Sequence, residues 1–189
     1  MNRRQLIASA AFAVTGTLSA SGWALSQRRT ALSDNDIEAM NQRWESFLPA
    51  DHGLDFNLQS VTFSADEWRA RLDSDLAFQV LRKEGTERAG THPYNVEKRA
   101  GVFACAGCKL PLFTSEMKYD SGTGWPSYFT HIPGHIATKR DFKLVWPRTE
   151  YHCVRCEGHQ GHVFDDGPEP TGQRFCNNGV ALTFIPQTP

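Results

Sequence analysis

The sequence predicts a mainly β domain that is held together by a metal ion and preceded by a few helices. After Gly101, short apolar runs alternate with turn residues, and most of the 15 glycines and 10 prolines lie in this second half. Such runs are typical of short antiparallel strands. Four of the five cysteines form two Cys-x-x-Cys pairs, Cys105/Cys108 and Cys153/Cys156. Because a loop-rich β core of this size is marginally stable alone, a metal that joins distant segments fits the pattern.

The start of the chain has the pattern of an export signal. A basic pair, Arg3-Arg4, precedes an alanine-rich apolar run, and Gly22 and Ala24 are the small residues expected at a cleavage site. The pair resembles a twin-arginine signal, with a Sec-type signal as the alternative, and both predict export to a bacterial periplasm. The run is too short and too interrupted to insert stably across a membrane. The chain therefore divides into a signal peptide, an N-terminal extension and a folded domain, at residues 1–24, 25–60 and 61–189.

Three stretches before the β region carry helix signals. Ser33 is placed to cap a short helix that starts at Asp34 and ends by Phe47. Ser64 and Glu67 have the spacing of a capping box. Apolar residues at helical spacing then predict two helices, over residues 65–73 and 74–83, and Gly85 is expected to end the second.

The β region contains a series of short apolar runs that we interpret as strands. Each run is bounded by glycine, proline or other turn residues. The runs cover residues 101–105, 111–113, 125–129, 136–142, 148–154, 162–164 and 180–185, and residues 174–178 form a further candidate strand.

The two Cys-x-x-Cys pairs are typical of a metal site. Two such pairs, Cys105/Cys108 and Cys153/Cys156, provide four thiolates, which is the commonest arrangement for structural zinc. Four protein ligands leave no open position, so the ion is expected to be structural. The alternatives are a rubredoxin-type iron, a pair of disulfides or a redox-active Cys-x-x-Cys. Export to an oxidising compartment adds weight to the disulfides, but the paired spacing still favours zinc.

Cys176 is left outside these pairs. If its segment is a strand, Arg174, Cys176 and Asn178 project from the same face. A cation beside a thiol favours the thiolate, which is the nucleophilic form. The alternative is that Cys176 is a buried, inert side chain, as most free cysteines are.

Two further stretches carry polar or aromatic residues suited to a site. His159 and His162 lie close together between the second cysteine pair and Cys176, and an acidic neighbour would orient either imidazole. A Gly-Thr-Gly turn precedes Trp125 and would present its indole. Taken singly, each histidine is more often a structural hydrogen-bonding group and the tryptophan a core residue.

In their order, these segments resemble the type B peptide-methionine (R)-S-oxide reductases. The resemblance covers residues 62–187 and implies two antiparallel β-sheets with a few peripheral helices, and one structural zinc ion held away from the active site. The motifs that carry it are Gly85-Thr86-Glu87, Cys105-Ala106-Gly107-Cys108, Ser121-Gly122-Thr123-Gly124-Trp125-Pro126-Ser127, Cys153-x-x-Cys156, Gly161-His162-Val163-Phe164-Asp165-Asp166-Gly167-Pro168, Pro170-Thr171-Gly172 and Arg174-Phe175-Cys176-x-Asn178.

The resemblance also implies roles for the polar residues. Cys176 is the nucleophile that attacks the sulfoxide sulfur and ends as a sulfenic acid. His162, with His159 nearby, protonates the sulfoxide oxygen or stabilises the charge that develops there, and Asn178 holds that oxygen. Arg174, through its positive charge, favours the thiolate form of Cys176.

Three other positions complete the site that the resemblance implies. Asp166 is the acidic partner, although Asp165 is adjacent. Trp125 forms an apolar wall for the S-methyl group of the substrate. Thr123 occupies the position at which many members of the family carry a resolving cysteine, so no disulfide is expected within the chain. The sulfenic acid must then be reduced by an external thiol, from a thioredoxin-like protein or a small molecule.

The net charge of the chain limits the kinds of macromolecule that it is expected to bind. With a net charge of −1 and a pI near 6.6, the chain has no general basic character for nucleic acid. We expect a monomer that acts on oxidised proteins or peptides. Three other readings stay open from the residues alone: a zinc-ribbon interaction module with an inert Cys176, a peroxide sensor based on Cys176, and a Cys–His hydrolase.

Overall fold

The computed structural model describes residues 32–142 and 147–187, so the predicted export signal lies outside the described residues. Among the described residues, three α-helices precede the sheets: α1 (Asp34–Gln42), α2 (Ala65–Arg71) and α3 (Asp75–Lys83). Ser33 and Ser64 cap the first two through capping boxes: each hydroxyl accepts from the backbone amide three residues later, and the carboxylate of that residue accepts from the serine backbone amide. The predicted caps are therefore confirmed. In the described part of the chain, no helix has the length and apolar character needed to cross a membrane.

The first and third helices end differently from the prediction. The predicted helix over Asp34–Phe47 is divided into α1 and a 3-10 turn at Trp44–Phe47. At the end of α3, Glu84 and not Gly85 has the left-handed conformation, with φ 55°. The carboxylate of Glu84 lies 2.6 Å from Lys139 Nζ, an ion pair that offsets the strain of this conformation in a non-glycine residue.

In the described part of the chain, nine strands form two antiparallel sheets, which confirms the predicted fold class. The smaller sheet has the order β2 (Pro111–Thr114), β1 (Gly101–Cys105), β9 (Leu182–Pro186). The larger sheet has the order β3 (Lys118–Tyr119), β4 (Ser127–Tyr128), β8 (Arg174–Asn177), β7 (His159–Phe164), β6 (Arg148–Cys153), β5 (Ile136–Asp141).

Strand boundaries differ from the prediction where polar residues are buried. β7 begins at His159, three residues before the predicted start, because the polar His159 and Gln160 are buried in the ladder and an apolar pattern does not reveal them. The run over residues 125–129 contributes only the two residues of β4. The last strand starts at Leu182, after a 3-10 turn at Gly179–Ala181.

The core lies between the two sheets and is rich in aromatic rings. Phe113 of β2 stacks on Tyr128 of β4 with ring centroids 3.9 Å apart, and Phe103 of β1 meets the same tyrosine edge-on. Tyr151 and Phe175 continue the contact toward β6 and β8. Each buried ring contributes about 1.5–3 kcal/mol through burial of apolar surface. This packing holds β8 in the middle of the larger sheet.

Candidate active site

The strand β8 places Cys176 between two other strands. Cys176 pairs with Ser127 on β4 and with His162 on β7, so the thiol lies beside residues of both neighbours. A cleft opens over this point. Of the residues predicted for the site, it brings together Cys176, His162, Trp125 and Asn178; its remaining lining residues are Thr86, Arg148, Gly161, Phe164 and Asn177.

Gly161 allows the backbones to meet closely beside the thiol. A Cβ at this position would overlap the carbonyl oxygen of Cys176 on the adjacent strand. Only glycine fits such a contact between two backbones. Gly161, which lies between His159 and His162, therefore permits the close strand contact beside the cleft.

The Cys176 thiol is half-buried, and this burial raises its pKa. Arg174 and a hydrogen bond with the Thr123 hydroxyl act in the opposite direction. Desolvation is the larger effect, because the charged form is disfavoured away from water.

Arg174 is held by Asp166. Its Nε and Nη2 atoms donate to the two carboxylate oxygens at 2.7 and 2.9 Å. The hydrogen bond from Arg174 lowers the pKa of Asp166. The guanidinium also lies over the ring of Phe164, 4.3 Å from its centroid. These contacts keep Arg174 in one orientation beside Cys176.

His162 has an acidic partner that the sequence analysis missed. Its Nε2 lies 2.8 Å from Oδ2 of Asp141, at the end of β5. The same oxygen accepts a 2.7 Å hydrogen bond from Arg148, a residue of the cleft. A buried carboxylate orients an imidazole and stabilises its protonated form. No local motif marks Asp141, because two strand pairings bring it to His162.

His159 does not line the cleft, in contrast to His162. It is almost fully buried, and its ring lies edge-on to that of His162 with centroids 5.4 Å apart. Its Nδ1 is 2.9 Å from Glu150 Oε1, an ion-pair distance without the angle of a good hydrogen bond. Burial lowers the pKa of His159. The predicted direct role of His159 at the reacting centre therefore becomes a supporting role behind His162.

Asn178 and Trp125 are joined by Glu87, a residue of the Gly85-Thr86-Glu87 motif to which the sequence analysis assigned no role. The backbone amide of Glu87 donates to Asn178 Oδ1 at 2.9 Å, and its carbonyl accepts from Trp125 Nε1 at 3.1 Å. Its buried carboxylate accepts from the backbone amides of Gly179 and Val180. Glu87 thus fixes one wall of the cleft relative to the end of β8.

Thr123 belongs to a chain of hydroxyl groups at the other side of the thiol. Its Oγ1 lies 2.8 Å from Ser121 Oγ, which lies 2.7 Å from Ser127 Oγ. The lining of the cleft contains no cysteine besides Cys176. Thr123 therefore places a hydroxyl group, which forms a hydrogen bond with the Cys176 thiol, at this side of the cleft.

The other four cysteines form a separate cluster that fits a tetrahedral metal ion. All four sulfur atoms lie within 4.8 Å of one another, with Cys105–Cys156 and Cys108–Cys153 at 3.6 and 3.5 Å. A tetrahedron of Zn–S bonds of about 2.3 Å has edges of about 3.8 Å. Hydrogen bonding with Cys105 raises the pKa of the Cys156 thiol, and a divalent cation would reverse that effect.

Comparisons with known proteins agree with this geometry. Residues 74–186 match the model of the SelR domain, a span that contains the whole cleft and all five cysteines. The chain is 48 % identical over 131 residues to the peptide methionine sulfoxide reductase MsrB of Pseudomonas putida (strain W619), covering 69 % of this chain and 98 % of the relative. It is 48 % identical over 128 residues to the MsrB of Hahella chejuensis, covering 67 % and 91 %. It is 44 % identical over 133 residues to the MsrB of Agrobacterium fabrum, covering 70 % and 98 %.

Proposed function

The chain belongs to the type B peptide methionine sulfoxide reductases, and we propose that Cys176 performs their reaction through a sulfenic acid that an external thiol reduces. The enzyme is thus a peptide-methionine (R)-S-oxide reductase. The observation that carries the mechanism is the position of Cys176, which lies in the cleft beside His162 and Thr123 with no second cysteine in the lining.

The first step transfers one oxygen atom. His162 delivers a proton to the sulfoxide oxygen while the Cys176 sulfur, having lost its own proton, attacks the sulfoxide sulfur. The oxygen ends on Cys176, so the cysteine is oxidised by two electrons and the sulfoxide is reduced by two electrons to methionine. The sulfoxide S–O bond breaks, the proton that His162 delivered becomes the hydrogen of the sulfenic acid, and the thiol proton replaces it on His162, so no further reactant is needed.

The cleft provides separate contacts for the two ends of the sulfoxide. Trp125 and Phe164 offer apolar surface to the S-methyl group. One Nδ2 hydrogen of Asn178 donates to the Gln160 carbonyl, which leaves the second for the sulfoxide oxygen. Together with His162, this donor stabilises the charge that develops on the oxygen.

The second step regenerates the thiol. The sulfenic acid reacts with one external thiol to give a mixed disulfide and water, and a second thiol then releases Cys176. Thr123 cannot take part because a hydroxyl group does not form a disulfide. A thioredoxin-like protein or a small thiol therefore supplies both electrons from outside the chain.

The accessory features of the enzyme are also proposals. We propose that the four-cysteine cluster holds one zinc ion, which would cross-link the chain segments that carry it. The predicted signal over residues 1–24 supports export, so the substrates would be oxidised methionines of exported proteins.

A single turnover without reductant tests the mechanism. Zinc-loaded enzyme is mixed with a peptide that carries resolved R or S sulfoxide, and the methionine peptide is quantified by chromatography. We expect about one methionine per chain from the R epimer alone, because one thiol accepts one oxygen. Cys176 should then be trapped by dimedone, which reacts with sulfenic acids. Failure of both epimers in folded, zinc-loaded protein would overturn the proposed function.

The matched variant for this experiment is Thr123→Cys. Its new thiol would lie where the Thr123 hydroxyl now contacts Cys176. The sulfenic acid should then condense to a disulfide with loss of water, and dimedone labelling should disappear while the methionine yield stays the same. Equal dimedone labelling in both proteins would show that position 123 does not reach Cys176.

Asp141 is expected to set the efficiency of proton delivery. Asp141→Asn keeps the shape of the side chain but removes the charge that orients and stabilises protonated His162. We expect kcat/KM to fall by about 100-fold, the lower range for loss of general acid catalysis. Asp165→Asn is the control, because that carboxylate is exposed and does not line the cleft; an equal fall in both variants would exclude the assigned role.

A further inference from the structure

A fully buried amide, Gln160, lies between the four-cysteine cluster and the catalytic strand. Its Nε2 donates to Cys105 Sγ at 3.4 Å, and its Oε1 accepts from Asn177 Nδ2 at 3.4 Å. The side chain has no exposed surface. The proposed reaction does not use this group, although buried polar side chains are normally retained only with partners.

The contacts continue into β8. Asn177 lies between Cys176 and Asn178, and its Oδ1 accepts a 2.6 Å hydrogen bond from the Tyr151 hydroxyl. Its Nδ2 donates to the backbone carbonyl of Asn178 at 2.7 Å as well as to Gln160. The side chain of Asn177 therefore fixes the strand from the core side, opposite the face that carries the thiol.

Gln160 also holds the end of the strand through its backbone. Its carbonyl accepts from both the backbone amide and the side-chain Nδ2 of Asn178, each at 2.9 Å. One residue thus contacts a metal-binding sulfur, the core-facing asparagine and the residue expected to hold the sulfoxide oxygen.

We propose that Gln160 and Asn177 are positioning residues that couple occupation of the four-cysteine site to the reactivity of Cys176. A bound cation would hold the Cys105 sulfur in place, and this sulfur and the Gly158 carbonyl both accept from Gln160 Nε2 at 3.4 Å. These two acceptors keep the amide in the orientation in which Nε2 faces the cluster. That orientation presents Oε1 to Asn177, whereas the reverse orientation would place two NH2 groups against each other.

The proposal requires that the cysteines bind a metal, but it does not depend on the proposed reaction. Cys176 can be followed by alkylation with iodoacetamide in the absence of any sulfoxide. Failure of the coupling is thus distinguishable from failure of the reductase activity.

Cobalt(II) substitution provides the spectroscopic test. Cobalt occupies four-thiolate sites in tetrahedral geometry and shows thiolate-to-metal charge-transfer bands. A hydrogen bond lowers the energy of the sulfur donor orbital, so the band of Gln160→Leu should move to longer wavelength than that of the unchanged protein. Tyr128→Phe is the control, because Tyr128 is equally buried and its hydroxyl has no partner among the described residues. Identical bands in Gln160→Leu and the unchanged protein would overturn the contact with the bound metal.

The coupling itself is tested by modifying Cys176 and observing the effect on the metal site. Alkylation of Cys176 should shift the cobalt band of the unchanged protein and leave that of Gln160→Leu in place, since coupling between two sites is reciprocal. The alkylation rate should also change by about fivefold in Gln160→Leu. If that variant does not fold, Tyr151→Phe removes the hydrogen bond to Asn177 and should show a similar rate change, with Tyr128→Phe unchanged. Unchanged alkylation in the folded variants would overturn the proposal.

Discussion

Replacing Cys176 with serine is expected to abolish methionine formation, with less than about 1 % of one turnover per chain from the R sulfoxide. A serine hydroxyl is a far weaker nucleophile than sulfur and cannot accept the oxygen to form a sulfenic acid. The two side chains are similar in size, so the half-buried position should tolerate the change. The measurement is the single-turnover yield, with zinc content and melting temperature recorded on the same sample.

Two features of the site allow the Cys176→Ser variant to test the assignment of the nucleophile directly. Cys176 is the cysteine of the cleft lining, and the other four form the cluster at 3.5–3.6 Å contacts between pairs. Thr123→Ser is a suitable control, because it keeps the hydroxyl group beside the thiol and should react at a rate close to that of the unchanged enzyme. Undiminished turnover in Cys176→Ser would assign the chemistry to another group.

The candidate nucleophile Cys176 and the four clustered cysteines could be predicted because their signals are local. A Cys-x-x-Cys pair can be recognised within four residues, and the alternation of Arg174, Cys176 and Asn178 needs only one strand. The capping boxes at Ser33 and Ser64 are local in the same way, and the structure confirms them. Such signals can be recognised in the sequence because they do not depend on how the sheets are arranged.

The partners of these residues are not predictable, because strand register brings them together. Asp141 reaches His162 across 21 residues through the pairings of β5, β6 and β7. Glu87 reaches Asn178 across 91 residues of sequence. The raised pKa of Cys176 follows from burial, which the sequence pattern around Arg174 does not report. Environment, more than residue type, therefore decides which groups are charged in the cleft.

Removal of the metal is expected to unfold the domain. Binding of structural zinc contributes about 10–16 kcal/mol in small domains, which is comparable to the entire stability of about 5–15 kcal/mol of a typical protein. We expect chelation after thiol-selective release of the ion to remove the cooperative thermal transition. The transition should be followed by circular dichroism, with zinc counted by mass spectrometry in parallel. Cys153→Ser should reproduce the loss, whereas Cys176→Ser should keep one zinc ion and an unchanged transition.

The location of the four-cysteine cluster explains why removal of the metal should unfold the whole domain. Cys105 ends β1 of the smaller sheet and Cys153 ends β6 of the larger sheet, so one ion would join the two sheets at the edge of their shared core. The Cys156 carbonyl also accepts a 2.6 Å hydrogen bond from Arg82 of α3, which brings the helix to the same point. Loss of the ion would leave four thiols, three of them buried, in close contact and separate the sheets that enclose Cys176. A metal-free protein with an unchanged melting temperature would show that the aromatic core alone holds the sheets together.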